Sequence, residues 1–274
     1  MGGRSREPYF VQSLERGLAV IRAFDATHSE LTLSEVARVC DITRATARRF
    51  LLTLTDLGYV HTDGRMFRLS PRILELGYSY LSSVGLPEIA QPHLERLVHE
   101  VHESSSVCVL DGDDIAYVAR VPTSRIMTVS ITVGTRFPAY LTSVGRVLLA
   151  HLPEQEIELH LKRIPFERPT SRAVSSAAML RTELARVRAQ GYAIVDQELE
   201  EGLRSVAAPI RDHNGTVVAA VNIPVHASRN SIKSIRRDLI PPLVASASRI
   251  EADLRLLPSR AGGTGPRHLP PNAS

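Results

Sequence analysis

The segment from Thr32 to Leu69, TLSEVARVCDITRATARRFLLTLTDLGYVHTDGRMFRL, decides the fold of the N-terminal part of the chain. Thr32 and Glu35 have the spacing of a capping box, which predicts the start of a short helix. A break follows at residues 41–42, and Thr43 is placed to cap a longer helix that ends at Gly58. Apolar residues recur at helical spacing along this longer helix and predict one buried stripe: Ala47, Phe50, Leu51, Leu54 and Leu57.

The opposite face of the longer helix is basic and polar, mainly in its first half, where a recognition helix contacts base edges. Two short strands at 59–61 and 66–69 flank the Asp63-Gly64 pair, a strong hairpin signal. This order of elements predicts a winged helix-turn-helix that binds DNA. The alternative is a helix face that is only solvated. The candidate DNA contacts are Thr43, Arg44, Thr46, Arg48, Arg49 and Thr53 on the helix and Arg65 and Arg68 in the wing.

Helices are also predicted on both sides of this segment. Residues 13–26 have apolar side chains at helical spacing, with Ser13 as the candidate cap. Pro71 suits the first turn of a connecting helix over residues 71–84, whose wide apolar stripe must be buried somewhere. The polar residues 1–12 are expected to be a flexible tail.

From Pro87 onward the pattern changes to mixed helix and strand, and the consecutive strands are candidates for antiparallel pairing. Pro241 and Pro242 should kink or divide the last helix. The predicted helices are 89–103, 143–151, 154–163, 177–190 and 229–257, and the predicted strands are 106–110, 115–121, 126–133, 192–196, 206–211 and 216–225. The Pro/Gly-rich end, residues 258–274, is expected to be disordered.

The composition excludes several classes of protein. The chain has 274 residues, of which 43% are hydrophobic, enough for two modest domains. Its longest apolar run is far short of the ~20 residues of a membrane-spanning helix, so a cytoplasmic location without membrane association is expected. Two cysteines without a CxxC pattern favour neither disulfides nor a zinc ribbon. The pair His99 and His102 could bind metal by spacing alone, but without further ligands no metal or cofactor is expected.

The net charge of +4 permits a polyanionic partner without establishing one. Of the 33 basic residues 31 are arginine, which fits either a coding bias or bidentate binding of phosphate, guanine or carboxylate.

A ligand site is suggested by residues 134–150, GTRFPAYLTSVGRVLLA, where a helix begins at Ser143. The amides of Ser143, Val144 and Gly145 could bind a carboxylate, with Phe137 and Tyr140 as apolar walls; the alternative is an ordinary cap with core aromatics. Asn222, inside the apolar strand VVAAVNIPV, suggests a polar cavity or an asparagine satisfied by backbone. Since the motifs of hydrolases, NTPases and Rossmann enzymes are missing, the chain is predicted not to be an enzyme.

Five segments together resemble the IclR family of bacterial transcriptional regulators: SLERGLAVIRAF, ITRATARRFLLTLTDLGYV, PRILELGYSYLSS, GTRFPAYLTSVGRVLLA and GYAIVDQELEEGLRSVAAPIRDHNGTVVAAVNI. The resemblance covers about Tyr9 to Leu257. Within the family the chain looks like the subgroup that governs aromatic-acid catabolism through the β-ketoadipate pathway.

The resemblance implies an α+β protein in five parts: a tail (1–12), a winged helix-turn-helix domain (13–70), a linker helix (71–86), a GAF-like effector domain with an antiparallel sheet flanked by helices (87–257), and a second tail (258–274). It also implies a homodimer or homotetramer on a palindromic double-stranded DNA operator. The small carboxylate effector would be protocatechuate, 4-hydroxybenzoate or β-ketoadipate.

Carried over by motif, the family's effector cavity would be lined by Val129, Phe137, Ser143, Val144, Val195, Leu203, Ser205 and Asn222. Members of the family often differ at Ser143 and Asn222, where ligand choice could change. Tyr140 is a further candidate wall, and Arg120 or Arg125 could add a bidentate partner for the anion. Two alternatives remain open: a regulator of another carbon-source pathway with a different organic acid, and an enzyme acting on a small aromatic acid.

Overall fold

The computed structural model describes residues 9–25, 28–76, 85–123 and 131–256, and the chain divides into two compact units, residues 1–83 and 84–274. The described part of the first unit contains α1 (Gln12–Arg22), β1 (Glu30–Thr32), α2 (Leu33–Val39), α3 (Arg44–Asp56), β2 (Val60–Thr62) and β3 (Met66–Leu69). The three strands form one antiparallel sheet in the order β1-β3-β2. The predicted short helix, basic helix and hairpin are therefore confirmed.

Side-chain caps fix the starts of α2 and α3. The amide of Thr32 donates to Glu35 Oε2 at 2.8 Å and the amide of Glu35 donates to Thr32 Oγ1 at 3.3 Å, which completes the predicted capping box. Thr43 Oγ1 accepts from the amide of Thr46. The cap predicted at Ser13 is wrong, because α1 already begins at Gln12 and Val11 is the N-cap, without a side-chain bond.

The core of the first unit differs from the predicted stripe at one end. Ala47, Leu51 and Leu54 are buried and Phe50 is half-buried, but Leu57 is 52% exposed. Leu57 is the C-cap of α3, so it no longer follows the helical periodicity. Strand β1 was not predicted, since a three-residue strand whose only buried side chain is Leu31 shows no alternation; Leu31 lies opposite Phe67.

The predicted connecting helix is described only at its start. A 3-10 turn, Pro71–Ile73, begins at the predicted proline and is capped by Ser70, which accepts from the amide of Arg72. Three parts of the predictions lie outside the described residues: residues 77–84 of the connecting helix, residues 1–8 of the first tail, and residues 257–274, which are the end of the last helix and the whole second tail.

The second unit is built on a six-stranded antiparallel sheet in the order β6-β5-β4-β9-β8-β7. Its elements are α4 (Leu86–Val101), β4 (Ser105–Asp111), β5 (Asp114–Val121), β6 (Arg136–Pro138), α5 (Ser143–Ala150), α6 (Glu154–Arg163), α7 (Ala177–Gln190), β7 (Ala193–Asp196), β8 (Leu203–Arg211), β9 (Val217–His226) and α8 (Ile240–Leu256). Helix α5 packs on β8 and β9, while α4 and α8 pack on each other and on β5 and β8. The α+β class with an antiparallel sheet and flanking helices is confirmed.

Two predicted elements of this unit differ from the structure. Residues 126–130 of the strand predicted at 126–133 lie outside the described residues, and residues 131–133 are not in a strand. The edge strand is β6 instead, with Phe137 opposite Ile115. Gly134, at φ 88°, makes the turn that leads to β6, and its amide donates to the carbonyl of Tyr117 at 2.8 Å.

The last helix is divided as the proline pair predicts. A single turn, Ile232–Ser234, leads into a π-helix, Ile235–Leu239, and α8 begins at Ile240. Pro241 and Pro242 thus directly follow the π-helix, a local departure from α-helical geometry next to two residues that lack an amide donor.

The start of α5 depends on a close backbone contact. A Cβ atom on Gly145 would lie 2.1 Å from the carbonyl oxygen of Ala139 and 2.4 Å from its Cα, whereas a Cβ on Gly17, in α1, would meet only the ring of Phe50 at 3.8 Å. Two helical glycines of the same chain therefore tolerate a side chain very differently.

We expect Gly145→Ala to destabilise the protein by about 3 kcal/mol or more, because a backbone contact cannot move aside as a side chain can. The matched control Gly17→Ala should be neutral or stabilising by roughly 0.4–1 kcal/mol, since alanine favours the helix and restricts the unfolded chain. Thermal unfolding of the full chain measures both, and equal midpoints for the two variants would contradict the contact.

Candidate functional site

The arginines on the exposed face of α3 lack partners. Arg44, Arg48 and Arg49 are exposed, and among the described residues none of their guanidinium groups has a hydrogen-bond or ion-pair partner. Arginines of the second unit are commonly paired with carboxylates; examples are Arg136, Arg146, Arg163, Arg172 and Arg204. The contrast leaves the α3 arginines available to an external polyanion.

The threonines predicted beside these arginines are engaged within their own helix. Thr43 and Thr46 share a hydrogen bond between their hydroxyls at 2.9 Å, and the Thr53 hydroxyl donates to the carbonyl of Arg49 at 2.8 Å. These hydroxyls shape the helix and its cap, so the unpaired groups on this face are the arginines.

The sequence of the first turn of α3 works against helix stability. Arg44 is the first helical residue and the turn has no acidic side chain. A cation at a helix N-terminus opposes the macrodipole, whereas an anion there is favoured. A basic first turn without an acidic side chain departs from the usual helix pattern, and such departures are typical of functional sites. At this N-terminus the arrangement favours binding of a phosphate.

The wing is held by a tight turn. The amides of Met66 and Arg65 donate to the Asp63 carboxylate at 2.7 Å and 2.8 Å, and these bonds lower the pKa of Asp63. Gly64 takes the left-handed conformation at φ 95°. The turn leaves the side chains of Arg65 and Arg68 exposed.

The second unit contains a cavity of about 440 Å³ between the sheet and the start of α5. Seven of the residues proposed from the sequence line it: Phe137, Ser143, Val144, Val195, Leu203, Ser205 and Asn222. Residues missed by sequence reasoning include Ile115, Tyr117, Leu199, Pro224, His226 and Arg229. Alternation along β5 and β9 was the available signal, since Ile115 and Tyr117, like Asn222, Pro224 and His226, are two residues apart.

Four of the proposed residues do not line the cavity or cannot be placed. Tyr140 is buried elsewhere, where its hydroxyl donates to the carbonyl of Glu167 at 3.0 Å and its ring packs edge-on against Phe166. Arg120 is absent from the lining of the cavity. Arg125 and Val129 lie outside the described residues.

The aromatic wall consists of Tyr117 and Phe137, whose ring centroids are 6.1 Å apart in an edge-to-face arrangement. Burial raises the pKa of Tyr117, so its hydroxyl stays protonated. Among the described residues that hydroxyl has no hydrogen-bond partner.

The start of α5 forms a polar part of the wall. Thr142 caps the helix by accepting from the amide of Gly145 at 3.0 Å. This amide is therefore occupied, contrary to the expectation that it would be open to a ligand. The amides of Ser143 and Val144 precede the first intrahelical bond, and the hydroxyl of Ser205 donates to that of Ser143 at 2.8 Å.

Asn222 is a buried polar residue of the cavity lining. It is 4% exposed, and its Oδ1 atom has no hydrogen-bond partner among the described residues. Its backbone carbonyl accepts from the hydroxyl of Ser105 at 2.8 Å, which anchors the strand rather than the side chain. A buried acceptor left unpaired is unusual in a native fold and calls for a specific explanation.

Arg120 lies in the same cross-strand row as Asn222. The pairing places Arg120 opposite Ser106, and Ser106 opposite Asn222. Arg120 donates to the hydroxyl of Ser106 at 3.2 Å, and partial burial lowers its pKa. A β-bulge opposite Val107 and Cys108 puts Tyr117 on this same face of the sheet, although an unbroken strand would alternate them.

The loop between β7 and β8 is locked by buried charges. Arg146, 2% exposed, donates to Glu198 Oε2 at 2.6 Å and to the carbonyl of Tyr140 at 3.1 Å. Glu198 also accepts from the amide of Val174 at 2.8 Å. This network joins α5 to the loop that carries the cavity residues 199–203.

Asp196 holds the base of the same loop. Burial alone would raise the pKa of Asp196, but hydrogen bonds from Arg204 and Gln197 outweigh it, and the pKa is lowered. Arg204 also donates to the carbonyls of Ala227 and Asn230, so the loop is tied to the end of β9.

Membrane-spanning helices and metal clusters are both missing from the described ranges. Within residues 9–25, 28–76, 85–123 and 131–256, no helix is both long and apolar enough to cross a membrane. The same ranges contain no group of three or more His, Cys, Asp or Glu side chains that could hold a metal ion, and this includes the surroundings of His99 and His102.

The geometry defines a DNA-binding regulator of the winged helix-turn-helix class with a ligand cavity in a second unit. The IclR helix-turn-helix domain matches residues 13–64, and the C-terminal domain of the bacterial transcriptional regulator IclR matches residues 78–252. The chain belongs to the IclR family of bacterial transcriptional regulators, whose members are regulators and not enzymes.

Three relatives show how close this likeness is. The Pca regulon regulatory protein of Pseudomonas putida is 43% identical over 242 residues, which cover 88% of this chain and 83% of that protein. A crystal structure from Rhodococcus sp. RHA1 is 60% identical, with a TM-score of 0.81, and the match covers 89% of this chain and 98% of that one. An IclR homologue from Microbacterium hydrocarbonoxydans complexed with 4-hydroxybenzoate is 26% identical, with a TM-score of 0.79 and coverage of 88% and 98%.

We expect Glu198→Ala to lower the free energy of unfolding by about 3–5 kcal/mol, because it leaves the buried Arg146 guanidinium without its counter-charge. The matched control is Asp238→Ala, which removes a carboxylate from a pair whose side chains are 72% and 49% exposed and should cost at most about 1 kcal/mol. Urea unfolding of the full chain compares them. Equal losses would show that the Arg146 network does not stabilise the cavity loop.

Proposed function

We propose that this protein controls an operon for aromatic-acid catabolism from a palindromic operator, in the cytoplasm, as a homodimer or homotetramer. The effector would be a small carboxylate of the class that contains protocatechuate, 4-hydroxybenzoate and β-ketoadipate. The observation that carries the proposal is the unpaired arginine face of α3 in a chain that also holds a largely apolar cavity. The similarity to a Pca regulon regulatory protein supports the pathway.

On the DNA side, α3 would enter the major groove. Arg44, Arg48 and Arg49 are suited to phosphates and guanine edges, and the wing with Arg65 and Arg68 would contact the adjacent backbone. Thr43, Thr46 and Thr53 would act mainly by holding the helix in shape, since their hydroxyls are engaged locally. Symmetry of an oligomer would place two such helices about 34 Å or a multiple apart, in successive grooves.

On the ligand side, the carboxylate would lie at the start of α5. The amides of Ser143 and Val144 and the hydroxyl of Ser143 are the donors there, Ser205 holds the Ser143 hydroxyl in place by donating to it, and the helix dipole favours an anion. Phe137, Val144, Val195 and Leu203 would contact the apolar body of the ligand. The solved IclR homologue with 4-hydroxybenzoate supports a ligand of this class.

The two functions would be linked by differential affinity. A ligand changes the operator affinity only if it binds the arrangements of the protein unequally, and a coupling of about 1–3 kcal/mol changes affinity roughly 5–150-fold. Glu198 and Arg146 join the cavity loop to α5, so a ligand that moves either element would also move the other.

We expect tight binding to the DNA immediately upstream of the gene for this protein, weakening steeply as salt rises, because phosphate contacts release counterions. One of protocatechuate, 4-hydroxybenzoate and β-ketoadipate should shift that affinity. Fluorescence anisotropy across a salt series measures both effects. If binding occurs but ignores all three acids, the regulator serves another pathway; if no specific binding occurs, the proposal is wrong.

We expect Arg48→Ala to weaken operator binding and to reduce the slope of log affinity against log salt by about one, with the ligand affinity unchanged. The control Arg186→Ala removes an exposed arginine that is paired with Glu183 in the second unit, and it should bind DNA like the unmodified protein. A folded Arg48→Ala protein that loses ligand binding and DNA binding together would contradict the division of roles.

A further inference from the structure

We infer that the cavity selects an aromatic acid that carries one negative charge and a ring hydroxyl, and that it discriminates against aliphatic keto-diacids. Asn222 is the residue that determines this ligand specificity. The inference rests on the proposed function, in which the cavity holds the effector, and it narrows the three acids named there to the hydroxylated aromatic ones.

The Oδ1 atom of Asn222 is a buried hydrogen-bond acceptor without a partner among the described residues. Asn222 itself lines the cavity and is only 4% exposed. A carbonyl oxygen can only accept a hydrogen bond. A ligand that satisfies it must therefore carry an N–H or O–H donor at the depth of Asn222, and one that lacks a donor leaves the acceptor desolvated and unpaired.

The cavity that contains Asn222 also has an aromatic wall. The rings of Tyr117 and Phe137 stand edge to face at 6.1 Å, and Ile115 lies opposite Phe137 on the neighbouring strand. Aromatic rings contact one another favourably in offset or edge-to-face arrangements, so an aromatic ligand can add to this pair. A flat aromatic body fits this wall better than a flexible aliphatic chain, which would lose rotamer freedom on binding.

The cavity lining also carries charge. Glu103, Glu200 and Glu201 line the cavity together with Arg229 and His226. The start of α5 offers donors for one carboxylate, and acidic side chains outnumber basic ones in the rest of the lining, so like charge disfavours a second carboxylate. A hydroxybenzoate brings one charge to the cavity, whereas an ionised keto-diacid brings two.

Together these features assign the two ends of the ligand. Its carboxylate binds at Ser143 and Val144, and its ring hydroxyl donates to Asn222 Oδ1. An ionised β-ketoadipate has only acceptor oxygens, so it leaves the Asn222 Oδ1 atom unpaired.

The test compares ligands that differ by one group. Calorimetric titration of the full chain with 4-hydroxybenzoate and with benzoate should give a dissociation constant at least tenfold larger for benzoate, equivalent to about 1.4 kcal/mol. β-ketoadipate should also bind at least tenfold more weakly than 4-hydroxybenzoate. In Asn222→Leu the two benzoates should bind within about twofold of each other, because the hydroxyl then has no acceptor.

Two further variants keep the test decisive. Asn214→Leu makes the same substitution in an exposed hairpin turn outside the cavity and should keep the tenfold ratio. If Asn222→Leu does not fold, Asn222→Val, a smaller residue suited to a strand, replaces it. Because each ratio is taken within one protein, a general loss of stability does not alter it.

The outcomes separate the inference from the function it rests on. Equal binding of 4-hydroxybenzoate and benzoate, or tighter binding of β-ketoadipate, overturns the role of Asn222 while leaving a ligand-responsive regulator in place. If none of the acids binds and none changes DNA affinity, the inference and the proposed effector class both fail.

Discussion

The close approach of Gly145 to the backbone of Ala139 is the constraint on which the second unit depends. It brings the start of α5 against the turn that immediately precedes the helix. From that one turn, Thr142 caps the helix, Ser143 faces the hydroxyl of Ser205, and Arg146 reaches Glu198. The start of α5 thus forms one part of the cavity wall, and residues of β8 and β9 form another.

Much of the fold could be predicted because its signals are local. The capping box of Thr32 and Glu35, the cap at Thr43 and the Asp63-Gly64 turn each depend on residues within three or four positions of one another. The predicted buried stripe of α3 is wrong only at Leu57, which lies after the last helical residue. The basic face of α3 was visible in sequence for the same reason, as was Asn222, a polar residue in an apolar strand.

The cavity could be predicted only in part because its decisive features are not local. Arg146 and Glu198 are separated by 52 positions, and nothing in either neighbourhood points to the other. The bulge in β5 puts Tyr117 and Arg120 on one face against the alternation rule. Strand β1 is defined only by its pairing with β3, which a local sequence pattern does not show. The sequence also does not show that the Tyr140 hydroxyl bonds to the distant carbonyl of Glu167, away from the cavity.

A coupling free energy that joins a DNA site to a ligand site must be reciprocal. The most direct measurement is the calorimetric affinity for 4-hydroxybenzoate with and without saturating operator DNA. We expect DNA to change this affinity by the same factor, roughly 5–150-fold, by which the acid changes DNA binding. Identical ligand affinities with and without the operator would contradict it, since the cavity would then be independent of the DNA-binding unit.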